Sequence, residues 1–136
     1  MLIAVDLDDT IDAFPQEMRT IMTSLVACGH TVWVVTGTEN EDPTETDAKE
    51  KQFLLTQLGF TRTTPAVHGQ GGTSGQYDNI CVLPPPHPEN KAQWLADNGA
   101  DILIDNDKAN AQAAADICLV LLPWQTRTPQ KGTASP

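Results

Sequence analysis

A four-residue apolar run, Leu2 to Val5, breaks without transition into Asp6-Leu7-Asp8-Asp9-Thr10. An uninterrupted apolar run this short suits a strand buried on both faces, as in a parallel sheet. The carboxylates cannot be buried with it, so they belong to a loop at the end of the strand. The same grammar then repeats. Pro15 opens a segment in which Met18, Ile21, Met22, Leu25 and Val26 recur at helical spacing, closed by Gly29. Thr31 to Val35 is β-branched and aromatic and ends at Thr36-Gly37. After an acidic, Pro43-bearing loop, a helix is expected from Thr46 or Asp47, with Phe53, Leu54, Gln57 and Leu58 as its face and Gly59 as its stop. Phe60 to Tyr77 is rich in Thr and Gly without periodicity and reads as a long, flexible loop. Ile80 to Leu83 is a third strand, and a helix with Trp94 and Leu95 follows from Pro88 or Glu89. Ile102 to Ile104 is a fourth strand ending in Asp105-Asn106-Asp107. A helix over Lys108 to Ala115 then leads to a fifth strand, Ile117 to Leu121.

Strands alternating with helices predict an α/β fold: a three-layer, doubly wound, Rossmann-like domain around a five-stranded parallel sheet. The 136 residues suffice for one such domain, which buries roughly two-thirds of the surface its unfolded chain exposes. We expect a single domain over 1–123 and a flexible tail over 124–136. In doubly wound sheets ligands bind at the carboxyl ends of the strands, where every polar cluster noted above lies.

Composition narrows the partners. A formal net charge of −10 disfavours nucleic acid, whose binding depends on Lys and Arg displacing counterions. No apolar run approaches the roughly 18 residues of a membrane span, and no cationic flank precedes Leu2 as in a secretory leader, so a cytoplasmic protein without membrane contact is the expectation. Cys28, Cys81 and Cys118 are odd in number and widely spaced, as expected of reduced core thiols rather than a disulfide or thiolate metal set.

The chemistry-bearing residues fall at the strand ends. Asp6 by its side chain and Asp8 by its backbone carbonyl can approach one metal, with Asp105 from the fourth strand as a further ligand. Oxygen-only donors of this kind suit Mg²⁺. Taken alone, such a pair of aspartates serves equally as a solvated turn. Thr36 offers a hydroxyl and Gly37 an unhindered N–H to a phosphate oxygen. Lys91 near a helix start opposes the local dipole, which a nearby anion would explain; the alternative is a surface lysine lying over Trp94 or Leu95. Gly69, Gly71, Gly72 and Gly75 lack the Gly-Lys-Ser/Thr of a phosphate loop, and His30, His68 and His87 lack zinc spacing.

In this order, Asp6-Leu7-Asp8-Asp9-Thr10, Thr36, Lys91 and Asp105 resemble the four motifs of the haloacid-dehalogenase-like (HAD) phosphatase superfamily. The resemblance runs from Leu2 to about Leu121. It implies a Mg²⁺-dependent phosphomonoester hydrolase in which Asp6 attacks phosphorus to form an aspartyl-phosphate. Asp8 would act as general acid and then base, and Lys91 and Thr36 would hold the transferring oxygens. Thr10 would fix the loop, and the second acidic role of the last motif lies open between Asn106 and Asp107. The short connections imply a capless member that takes a nucleotide, sugar phosphate or phosphoprotein, with Phe60 to Tyr77 or Thr38 to Thr46 as a lid, or with the site completed in a homo-oligomer. Two alternatives stand beside this. One is a receiver-like phosphoacceptor domain, disfavoured because Thr36 and Lys91 precede Asp105; the other is an interaction protein of HAD fold without turnover.

Overall fold

Residues 1–123 are described here in a computed structural model; the expected tail, 124–136, lies outside the described residues. Five strands, β1 (Leu2–Val5), β2 (Thr31–Gly37), β3 (Asn79–Leu83), β4 (Ile102–Ile104) and β5 (Leu119–Leu121), form one sheet in the order β3-β2-β1-β4-β5. Every pairing is parallel, with Val5 opposite both Val34 and Ile104. The helices are α1 (Pro15–Ala27), α2 (Glu45–Gln57), α3 (His87–Asn98) and α4 (Lys108–Ala114). This is the three-layer α/β architecture that the strand–helix alternation calls for.

The period-two alternation of the strands feeds two cores. Ile3, Val5, Val32, Val34 and Ile104 face Met18 and Met22 of α1 and Leu55 of α2. Ala4, Trp33, Val35 and Leu103 face Leu95 and Trp94 of α3 and Ala114 of α4. At ~25 cal/mol per Å² of apolar surface, each fully buried Leu or Val contributes about 1.5–3 kcal/mol. The sheet is thus held by continuous apolar contact on both faces.

Local corrections have physical reasons. The helix over 45–57 buries Leu55 and packs the expected Leu54 and Leu58 against the core, but Phe53, expected on the same face, is 63% exposed, and Gln57 is exposed as well. The consecutive apolar residues Phe53-Leu54-Leu55 spread over most of the helix circumference, and spacing alone cannot choose among them. This helix starts at Glu45, where Thr44 and Asp47 form a capping box. The third helix begins at His87, and the fifth strand is confined to Leu119–Leu121. Cys28 is exposed at the end of α1 rather than in the core.

Phe60 to Tyr77 is a paired arm, not the expected flexible loop. Thr64 pairs with Thr73 and Val67 with Gln70 in antiparallel fashion, and the buried Tyr77 anchors the base. The glycines have a structural use here: a Cβ at Gly72 or Gly75 would collide with the carbonyl oxygens of Thr64 or Thr61. The β-branched threonines supply the pairing strands, and glycine permits the close approach of their backbones.

Candidate functional site

The site forms where β1 and β4 lie side by side. The Asp6 amide continues the ladder by donating to Ile104 O at 2.9 Å, and the Asp105 amide donates to Leu121 O at 3.1 Å. The two aspartates therefore leave neighbouring strands together. After Asp6 the chain makes a wide turn over Leu7–Ile11, closed by Asp12 N donating to Leu7 O at 3.1 Å. Asp9 takes the left-handed conformation (φ 61°) that aspartate tolerates better than most residues.

Lys91 reaches this point from the first turns of α3. Its ammonium donates to Asp6 Oδ1 at 2.9 Å and to Asp105 Oδ2 at 2.8 Å, and the residue is only 2% exposed. The surface-lysine alternative is thereby excluded. Burial pulls the Lys91 ammonium down, but the adjacent Asp6 and Asp105 carboxylates outweigh it and hold its pKa above the ordinary range. Burial pushes the Asp6 carboxyl up to about 7; Lys91 opposes this shift, and the Asp105 charge adds to it. Loss of hydration is the main reason that the Asp6 carboxyl holds its proton more tightly than in water, since the attraction of Lys91 offsets the repulsion from Asp105 without cancelling the cost of burial.

Asp105 is fully buried and engaged on both oxygens. Oδ1 accepts from the Asp107 amide at 2.9 Å, and Oδ2 accepts from Asn110 Nδ2 at 3.0 Å as well as from Lys91. Asp107 caps α4 by accepting from the Asn110 amide at 2.9 Å. Thr10 joins the two loops: its hydroxyl accepts from the Asn106 amide at 3.0 Å and makes a long 3.5 Å contact to Asp6 Oδ2. Asn106 Nδ2 also donates to Asp9 O at 3.2 Å. The Asp8 carboxylate does not join this cluster and lies 3.6 Å from Lys51 Nζ of α2. Burial, and then the Asp8 charge, raise the pKa of nearby Asp12.

Thr36 and Gly37 end β2 beside this cluster. The Thr36 hydroxyl is fully buried and has no hydrogen-bond partner among the described residues, a state that costs about 1–3 kcal/mol. Gly37 is covered by the His87 imidazole, whose Cδ2 would lie 2.7 Å from a Cβ at that position. A cavity of about 240 Å³ opens over these groups. Its carboxylates are Asp6, Asp8, Asp9, Glu39 and Asp107, its cation is Lys91, and Gly37, His87, Asn106 and Asn110 complete the wall.

Of the residues expected in the site, Asp6, Lys91 and Asp105 meet directly. Gly37, Asn106 and Asp107 line the cavity, while Thr10 and Thr36 lie buried behind it. The Asp8 side chain lines the cavity but turns to Lys51. Among the described residues, no three His, Cys, Asp or Glu side chains are grouped as a metal-ligand set. His87, Asn110 and Lys51 were not anticipated. His87 lacks zinc spacing, but its position four residues before Lys91, on the same helix face, is a signal the sequence carries. Asn110, three residues after the helix-capping Asp107, was legible in the same way.

No helix of the described residues is long and apolar enough to cross a membrane. Neither a family model nor a curated protein matches the chain. Among solved structures, a universal stress protein in complex with cAMP superposes with a TM-score of 0.52 at 9% identity, covering 90% of this chain and 96% of that one. A universal stress protein from Archaeoglobus fulgidus gives a TM-score of 0.51 at 15% identity, with 90% and 92% covered. These likenesses concern the fold. They correct the family expectation, because the structural neighbours are universal stress proteins and not HAD phosphatases. The phosphomonoester hydrolase, the aspartyl-phosphate intermediate and the enzyme assignment rested on that family and are overturned with it.

Proposed function

We propose that the chain is a binding domain for a phosphorylated small molecule, taken up together with Mg²⁺ in the cavity at the strand ends. The observation that carries this reading is the buried Lys91 ammonium, fixed between Asp6 and Asp105 in the cavity wall. The backbone of Gly37 in the cavity wall supplies a donor for phosphate oxygens, while the unpartnered Thr36 hydroxyl is buried beside it. Charge supports a co-bound cation. Five carboxylates line the cavity against one lysine, so a bare phosphate would meet net repulsion.

Mg²⁺ suits such a donor set because it binds one or two carboxylates together with phosphate oxygens and waters, rather than a full protein cage. Asp6 is the fitting carboxylate, since its Oδ2 has only the 3.5 Å contact to Thr10, and the Asp8 carbonyl is a second donor. Asp105, saturated by its own hydrogen bonds, serves by holding Lys91. Thr10, Asn106 and Asp107 brace the two loops. When bound, the cation supplies charge neutralisation, and the residues bind and orient the ligand. The cavity of about 240 Å³ lies below the roughly 300–1,000 Å³ of drug-sized sites, which favours a compact ligand such as a sugar phosphate or mononucleotide.

One protein sharing the fold was solved in complex with cAMP, so cAMP and inorganic phosphate are the first ligands to try. Isothermal titration calorimetry with excess Mg²⁺ is expected to give saturable binding of one of them, abolished by EDTA and by Lys91→Met. Folded wild-type protein that binds neither those nor a panel of sugar phosphates and mononucleotides in Mg²⁺ would refute the reading.

A further inference from the structure

The start of α3 carries three polar side chains on one face, at positions i, i+3 and i+4: His87, Asn90 and Lys91. Each reaches the end of a different strand. His87 Nε2 lies 2.7 Å from the carbonyl of Thr38, just past β2. Asn90 Nδ2 donates to the carbonyl of Pro84, just past β3, at 2.8 Å. Lys91 bridges the residues that follow β1 and β4. Because a carbonyl oxygen only accepts, Nε2 of His87 carries the proton. The imidazole reaches Thr38 by lying directly on Gly37, where any side chain would displace it.

Resting on the phosphate-binding reading above, we propose that His87 is a positioning residue of the pocket. Its Nε2–H and ring pin the Gly37–Thr38 exit of β2 to the first turn of α3, and so set where the Gly37 backbone stands relative to Lys91. Loop segments at strand exits belong to the less stable parts of a fold, so a single tether there changes the local population of the formed site. His87 therefore acts through Thr38 and Gly37, and its Nδ1 is not required for ligand affinity.

Three substitutions separate the two ring nitrogens. His87→Gln carries an amide nitrogen that extends about as far as Nε2; His87→Asn carries one near the place of Nδ1 but too short for Thr38; His87→Ala carries neither. The first readout needs no ligand. It is amide hydrogen exchange of Thr38, whose N–H donates to Leu83 O at 2.9 Å. We expect exchange on the order of tenfold faster in the Ala and Asn variants, with Gln close to wild type. The second is affinity for inorganic phosphate in excess Mg²⁺, expected to fall several-fold in the same two variants and to return with Gln. Gly37→Ala should reproduce His87→Ala, and the two together should be non-additive. Equal Thr38 exchange in all variants would overturn the proposal, as would affinity retained by Asn and lost by Gln. If wild type does not bind phosphate while the exchange pattern holds, the pinning role stands and the phosphate reading falls.

Discussion

Replacing Asp6 by asparagine should stabilise the ligand-free protein at alkaline pH and leave it little changed in mild acid. Burial raises the Asp6 carboxyl from its ordinary 3.8 to about 7, so the folded state binds this proton more tightly than the unfolded chain does. Stability linked to it is fully present below about 3.8 and is lost as pH rises through about 7. Three pH units at roughly 1.4 kcal/mol each come to about 4 kcal/mol, an upper figure because Lys91 and Asp105 share the charge. Asparagine keeps the shape and cannot ionise. The Lys91 pKa, raised from an already alkaline value, adds nothing to the slope between pH 4 and 8. Urea unfolding in EDTA, followed through Trp33 and Trp94 in the core over α3, is the assay. The difference in unfolding free energy between Asp6→Asn and wild type should grow steadily from pH 4.5 to 7.5 and level off above it. Parallel pH–stability curves, or a variant less stable than wild type at pH 8, would refute the idea that ionised Asp6 is held at a cost.

Lys91→Met should destabilise by about 3–5 kcal/mol at pH 8, because it leaves two buried carboxylates without their cation, and lowering the pH should recover part of the loss. A urea midpoint unchanged at pH 8 would count against the buried triad. Leu95→Ala, at a fully buried position over the sheet, should cost about 2–5 kcal/mol in the same assay. Gly75→Ala should loosen the arm by about 1–3 kcal/mol, since the new methyl group meets the Thr61 carbonyl; melting temperature and the amide spectrum of 61–77 report it, and a wild-type spectrum would contradict the pairing.

The layers were legible because parallel strands leave an unmistakable mark: short apolar runs such as Leu2–Val5 and Ile102–Ile104, each followed at once by carboxylates. Sequence also brought Asp6, Lys91 and Asp105 into consideration, since an acid at a strand end and a lysine near a helix start each look out of place alone. What periodicity could not supply was choice among neighbours. Phe53 and Leu55 are equally apolar, and only the direction of α2 over the sheet decides that Leu55 is buried. The Thr- and Gly-rich arm looked structureless because its order comes from pairing across the chain rather than along it. His87 was missed for a related reason: its partner, the Thr38 carbonyl, is a backbone atom that no side-chain motif records. The family expectation failed where it asked most of few residues. Carboxylates, a threonine and a lysine at the strand ends are compatible with more than one lineage of doubly wound fold, and a site must be argued from its own geometry.

The start of α3 has one more consequence, for the order of events in folding. The bond from Lys91 to Asp6 spans 85 residues of chain, whereas that from Lys91 to Asp105 spans 14. Loop-closure entropy makes the shorter contact available first, once β4 and α3 have come together. The longer one closes only when β1 has inserted between β2 and β4, the centre of the sheet. Asp6 then reports completion of the whole topology, and no fragment lacking β1 can hold the pocket. A ligand bound there should slow global unfolding and not merely local fraying, because its contacts staple the first strand to the last third of the chain.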